Sequence, residues 1–328
     1  MTQLAPTMQA FFTDRLINQK NASSRTIAAY RDTMRLLLTF ATEKTGTPPS
    51  RLDIEQLDAP LIGAFLDHLE HDRGNSPRTR NARLAAIHSL YRYAALRHPE
   101  HAHTIARVIE IPQKTHERAT VCYLEPREIK ALLAAPDPSS WLGRRDHALL
   151  LTAIQTGLRV SELCGVQVGH VRLETGASIR VHGKRRKQRV TPLTPGTAKV
   201  LRVWLKERRG DEDDPLFPTR QGRALSPKAI AWLLDKHTAT AARRCPSLKK
   251  KRVTPHVLRH TNAMLVITKN DIATVALWLG HESTKSTEVY LHSNTTVKQE
   301  AIDKIAPIDT PPGRYKPSDK LLAFLESL

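Results

Sequence analysis

The sequence predicts a mainly α-helical protein with a small antiparallel β-sheet, divided into an N-terminal four-helix domain and a larger C-terminal domain. Apolar residues recur at helical spacing through most of the 328-residue chain. Two short β-like runs flank a single basic turn near the middle. One stretch, Ile111-Pro112-Gln113-Lys114-Thr115-His116-Glu117-Arg118, has no apolar periodicity and contains a proline, which places a linker there. The length suits two domains that each bury a core of their own. The expected boundaries are a helical domain over 1–112, a linker over 113–120, a second domain over 121–310 and a tail over 311–328.

In the first domain, Met8, Phe11, Phe12 and Leu16 share one helical face. Ile27, Tyr30, Met34, Leu37, Leu38 and Ala41 share another, after an N-cap at Ser23 or Ser24. Asp58 with Pro60 opens a third helix carrying Ile62, Phe65, Leu66 and Leu69, and Ser76 with Pro77 opens a fourth carrying Leu84, Ile87, Tyr91 and Ala94. Arg25, Arg31, Arg35, Arg78, Arg80, Arg83 and Arg92 fall on these helices, where each is either a phosphate-backbone contact or a solvated surface residue.

In the second domain, helices are expected around Pro126 to Ala135 and from about Arg144 to Gln155, the latter stopped by Gly157 in the C′ position. The β-like runs Ser178 to His182 and Gln188 to Leu193 follow, and five of the seven residues from Gly183 to Arg189 are basic. Helices then resume over Ala198 to Arg208, Pro227 to Arg243, Pro255 to Thr268, Ile272 to Leu279, Lys285 to His292 and Val297 to Ile305. Past a Pro/Gly break at 311–317, Leu321, Leu322, Leu325 and Leu328 mark a short amphipathic helix, for which packing in cis and docking onto a neighbouring protomer both stay open.

Composition narrows the function. Lys+Arg number 51 against 32 Asp+Glu, a net charge of +19, which points to a polyanionic partner, nucleic acid first. No run approaches the ~18 apolar residues of a spanning helix. The N-terminus has no signal-peptide pattern, so a cytoplasmic, nucleoid-associated protein without membrane contact is expected. Cys122, Cys164 and Cys245 have neither zinc-site nor disulfide spacing.

The residues that carry chemistry lie in the second half. Arg159 follows a helix end and precedes Ser161, a possible cap, with Glu162 one turn away. His256 and Arg259 fall one turn apart near the N-terminus of a helix opened by Thr254 and Pro255, where free N–H groups favour an oxyanion. His281 follows the helix-ending Gly280, and Tyr290 lies on a later helix. Together with Lys187 these are the cations a protein gathers around a phosphodiester whose transition state gains negative charge, and the tyrosine supplies a nucleophile. Its phenol, with a free pKa near 10, needs a base, His256, or a cationic site that favours the phenolate. His256 and His260 at i, i+4 also suggest metal ligands, but Arg259 would repel a cation, so no metal and no cofactor are expected. Arg243, Arg244, Lys249, Lys250, Lys251 and Arg252 form a basic cluster just before this helix, suited to a phosphate backbone.

These residues resemble the tyrosine recombinases, or phage-integrase family, in its Xer-like branch. The resemblance rests on Thr156-Gly157-Leu158-Arg159-Val160-Ser161-Glu162-Leu163, Gly183-Lys184-x-x-Lys187-x-Arg189, His256-x-Leu258-Arg259-His260, Leu279-Gly280-His281 and the nine-residue step to Tyr290. Ser23-x-x-Thr26-x-x-x-Tyr30 and Ser76-Pro77-x-Thr79 extend it into the N-terminal half, so it spans about residues 7 to 305. Arg185 stands where many relatives carry glycine. The resemblance implies a SAM-like core-binding domain followed by a catalytic domain. It further implies that Tyr290 forms a 3′-phosphotyrosyl link while Arg159, Arg259 and His281 bind the non-bridging oxygens. Lys187, with Lys184 as fallback, would protonate the leaving 5′-oxygen, and His256 would relay the tyrosine proton. Glu162 and His260 would support the residues that touch the phosphate. Lys184, Arg185, Arg186 and Arg189 would contact DNA.

Strand exchange would then pass through a Holliday junction without metal or ATP. Its partners would be a double-stranded recombination site, a homo-tetramer or a hetero-assembly with related recombinases, and an accessory DNA-bending protein. A type IB topoisomerase and a non-catalytic DNA-binding protein are the rival readings. The biological role, whether integration, transposition, dimer resolution or inversion, is not written in the residues.

Overall fold

The computed structural model describes residues 4–116, 121–182, 188–268, 270–280, 287 and 290. The chain forms two compact units, Met1–Ala119 and Thr120–Leu328. Each has its own apolar core.

In the first unit α1 (Leu4–Ala10) runs on through wider π-type turns over Phe11–Gln19, and is followed by α2 (Ser24–Thr45), α3 (Ala59–His71) and α4 (Pro77–Ala94). The starts of these last three are fixed by side-chain caps. Ser23 accepts from Thr26 N at 3.2 Å, Asp58 from Leu61 N at 2.9 Å and Ser76 from Thr79 N at 3.3 Å. Phe11, Leu37, Ile62, Phe65, Leu66, Leu84 and Ile87 close the core between them. A further helix not foreseen in the sequence, α5 (Ala102–Ile109), packs on α3 and α4. Only Ile105 and Val108 of its eight residues turn inward, too few to show a period amid the histidines around them.

The second unit contains α6 (Pro126–Leu133), α7 (Trp141–Thr156), α8 (Val160–Gly165), α9 (Pro195–Arg208), α10 (Pro227–Ala241), α11 (Pro255–Ile267) and α12 (Ile272–Leu279). Two strands, β2 (Ser178–His182) and β3 (Gln188–Pro192), pair antiparallel, and a short β1 (Val171–Arg172) adds an unforeseen outer strand in the order β1-β2-β3. The β2–β3 register sets Ile179 opposite Thr191 and Val181 opposite Arg189. Those four residues therefore share the face turned to the core, while Val190 is 63% exposed. The tip of this hairpin (183–187), the segment 291–328 and the helices expected over 285–292 and 297–305 lie outside the described residues, apart from Thr287 and Tyr290.

Candidate active site

Four backbone features bring the candidate residues together. α7 ends at Gly157, whose φ of +63° needs no Cβ and whose N–H closes on Ala153 O at 3.1 Å. The chain leaves through buried Leu158 and places Arg159 at the N-cap of α8. Ser161, expected to cap a helix here, is exposed; instead Glu162 Oε2 accepts from Arg159 N at 2.8 Å, so the carboxylate three residues on closes the helix start. α11 opens with Thr254 accepting from Val257 N at 3.3 Å and Pro255 behind it. α12 runs from its Asp271 cap to Gly280, at φ +64°.

Both arginines converge on the end of α12. Arg259, 3% exposed, donates from Nη1 to Gly157 O at 2.6 Å and from Nη2 to Leu279 O at 2.8 Å, so it joins the C-termini of α7 and α12. Arg159 donates from Nη2 to Gly280 O at 3.1 Å and from Nη1 to Glu162 Oε1 at 2.9 Å. Burial and repulsion from Arg159 push the Arg259 guanidinium down to about 10, which leaves it charged at neutral pH. A site with two such cations on adjacent carbonyls has charge to spare for an oxyanion.

Glu162 is the counterweight. Arg189 reaches it from β3 as a fork, Nη1 to Oε1 and Nη2 to Oε2, both at 2.8 Å. Burial alone would push the Glu162 carboxyl up, but Arg189 and the Arg159 N–H and guanidinium together hold it below the usual carboxylate range. Arg189 is therefore an internal tie between the hairpin and α8, its guanidinium engaged by a buried carboxylate. The charge count of the hairpin could not distinguish it from its neighbours; only its place on the buried face opposite Val181 does.

Tyr290 is 2% exposed, within a cluster formed by Ala263, Met264, Ile267, Val275 and Leu279. His260 Nδ1 lies 2.8 Å from its Oη. His256 stacks on His260 with ring centroids 5.4 Å apart and faces solvent on its other side. Its imidazole is held below the usual value by partial desolvation and by Arg259 and Arg159. The tyrosine's hydrogen-bond partner among the described residues is thus His260, where sequence reasoning had placed His256. The cationic surroundings do not produce a phenolate either: burial pushes the Tyr290 phenol up, and Arg259 offsets this only in part.

The remaining candidates divide by environment. Arg25, Arg31 and Arg78 are exposed, Arg31 beside Asp32 at 3.2 Å. Arg83 is half-buried, and burial lowers its pKa. Arg80 is 6% exposed, 3.8 Å from Glu70 and bonded to Pro112 O at 3.5 Å, so its guanidinium fastens Pro112 to α4. Asn81 fastens Lys114 beside it. Arg243, Arg244, Lys249, Lys250 and Arg252 are exposed, but Lys251 turns inward to Glu128 at 2.7 Å and to Tyr123 O at 2.9 Å. These bonds make it a strut that holds the basic segment to α6. Lys184, Arg185, Arg186, Lys187 and His281 lie outside the described residues. An apolar concavity lined by Leu133, Pro136, Val203 and Trp204 contains none of the candidate residues.

Comparison with known proteins finds relatives over nearly the whole chain. Residues 122–296 match the phage integrase family, and residues 10–98 match the phage integrase N-terminal SAM-like domain. The chain is 50% identical over 326 residues to an integrase/recombinase of Sinorhizobium fredii, covering 99% of this chain and 98% of the relative. It is 30% identical to the tyrosine recombinase XerC of Pelobacter propionicus, over 89% of this chain and 92% of the relative. Its fold is similar to that of the XerH site-specific recombinase in a post-cleavage complex with palindromic difH substrate, at a TM-score of 0.71 and 21% identity, covering 87% of this chain and 81% of that one.

Proposed function

The chain belongs to the phage integrase family of tyrosine recombinases, enzymes that break and rejoin DNA, and we propose that its own reaction runs through Tyr290. The observation that carries this is the convergence of Arg159 and Arg259 on Leu279 and Gly280, with the buried Tyr290 hydroxyl one side chain away on His260. Of the two arginines, Arg159, with 32% of its side chain exposed, is the one open to an arriving phosphate, while Arg259 is buried. As Tyr290 Oη bonds to phosphorus, the two guanidinium groups would take up the charge gained by the non-bridging oxygens. The P–O5′ bond breaks and leaves a 3′-phosphotyrosyl link that keeps the bond energy for rejoining, so neither ATP nor a metal is called for. His281 would add a donor to the phosphate, and Lys187 would protonate the leaving oxygen.

Exposed Arg25, Arg31, Arg78, Arg243, Arg244, Lys249, Lys250 and Arg252 are proposed backbone contacts, together with Lys184, Arg185 and Arg186 of the hairpin. A tetramer on two duplex sites, a Holliday junction between its two exchanges and an accessory bending protein complete the proposal. A duplex carrying the chain's own recombination site, nicked beside the cleavage point, tests it. Without Mg²⁺, the wild-type protein should trap itself covalently on this DNA and Tyr290→Phe should not. Equal adduct from Tyr290→Phe would remove the catalytic assignment.

A further inference from the structure

We propose that His260 is the catalytic base of the tyrosine attack, accepting the Tyr290 hydroxyl proton at Nδ1. The inference rests on Tyr290 being the nucleophile. Nδ1 and Oη are 2.8 Å apart, and the rings meet edge-on with centroids 5.5 Å apart, which directs an in-plane nitrogen lone pair at the hydroxyl. The position of the imidazole is fixed by its neighbours. Arg259 before it is tied to Gly157 and Leu279, while Thr261 after it accepts from Leu124 N at 2.9 Å and donates to Val257 O at 2.8 Å. The Tyr290 ring is held among aliphatic side chains. His256 presents a ring face to His260, which leaves its own nitrogens for the phosphate side of the site.

The chemistry of the pocket requires such a base. Burial keeps the phenol protonated, so the proton must leave as the bond to phosphorus forms. Burial, His256 and Arg259 hold the His260 imidazole at about 4, so it is neutral, and the tautomer with its proton on Nε2 offers the Nδ1 lone pair to the hydroxyl. An arriving phosphate offsets the charge of Arg259 and makes that nitrogen more basic at the moment of attack. The balance is complete. Oη–P forms, P–O5′ breaks, the hydroxyl proton passes to Nδ1 and the leaving oxygen takes a proton from the acid. In rejoining, the imidazolium returns its proton to the tyrosine oxygen as a 5′-hydroxyl attacks.

The test replaces Tyr290 in the full chain by 3,5-difluorotyrosine, whose phenol ionises near neutral pH, and compares adduct formation on the nicked duplex. His260→Leu with the natural tyrosine should form adduct about 100-fold more slowly than wild type, within the range of general-base effects, with duplex binding unchanged. His260→Asn, which keeps a polar partner for the hydroxyl but no base, should be as slow. Either variant carrying difluorotyrosine should recover to within about tenfold of wild type, because an ionised nucleophile has no proton to lose. Wild-type rates in His260→Leu or His260→Asn would overturn the proposal. So would equal slowness with both nucleophiles, which would make His260 a prop for the fold. Adduct formation by Tyr290→Phe would instead overturn the underlying assignment of the nucleophile.

Discussion

A single carboxylate, Glu162, organises the cations of this site. It is 6% exposed and accepts from Arg159 and Arg189 together, so removing its charge leaves Arg189 without its partner in the interior. Breaking a buried pair from one side costs about 3–5 kcal/mol. Glu162→Gln should therefore lower the unfolding free energy by several kcal/mol and slow adduct formation, with Arg189→Gln behaving alike and the double variant costing less than the sum. The carboxyl is depressed below its usual 4.5 in the folded chain, so its stabilisation is present above that value and lost as pH falls through the folded value. Urea denaturation between roughly pH 3 and 6 should show a steeper acid decline for wild type than for Glu162→Gln. The sequence made Arg159, Arg259 and Tyr290 legible through their motif spacing. It did not show that Arg189 and Arg80 point inward, because side-chain charge carries no sign of direction when a buried carboxylate is supplied from elsewhere in the chain.

At the scale of elements, the site is built at helix ends, and its tolerances are those of helix ends. A Cβ on Gly157 would meet Asn262 Oδ1 at 2.5 Å and Leu279 Cδ2 at 2.8 Å, at a φ that L-residues rarely adopt. Gly157→Ala should lower stability by about 1–3 kcal/mol in thermal unfolding. Gly165→Ala, at the end of α8 with open space around it, should be near neutral. Gly157 and the caps Ser76, Asp58 and Thr254 were readable because their signals are local in sequence. The ion pair of Glu125 with Arg127 is equally local, yet the strut that matters joins Lys251 to Glu128, 123 residues apart. Lys251→Met should lower the melting temperature while leaving the salt dependence of DNA binding unchanged. Arg252→Ala, on the exposed side of the same segment, should reduce the slope of log K against log salt by about 0.9.

For the whole molecule, a net charge of +19 over two units with separate cores makes DNA binding strongly salt-dependent. With six to ten phosphate contacts, affinity should fall by about 10³–10⁵ between 50 and 200 mM salt in a titration. Arg80, Arg189 and Lys251 contribute to the charge but are engaged in ion pairs within the fold, so less of the positive charge is unpaired than the count of basic residues implies. The sequence showed a polyanion-binding, two-part protein because charge and helical period are sums over many residues. The partner of the Tyr290 hydroxyl was hidden because His256 and His260 lie on one helix four residues apart, and only packing decides which faces the phenol.

The most direct measurement is the identity of the residue joined to DNA. After trapping on a nicked duplex without Mg²⁺, nuclease trimming and trypsin digestion, the nucleotide mass should ride on the peptide 286–298, which contains Tyr290. Attachment to Tyr123 or Tyr315, or a chain that cleaves with no covalent link at all, would contradict the site built here.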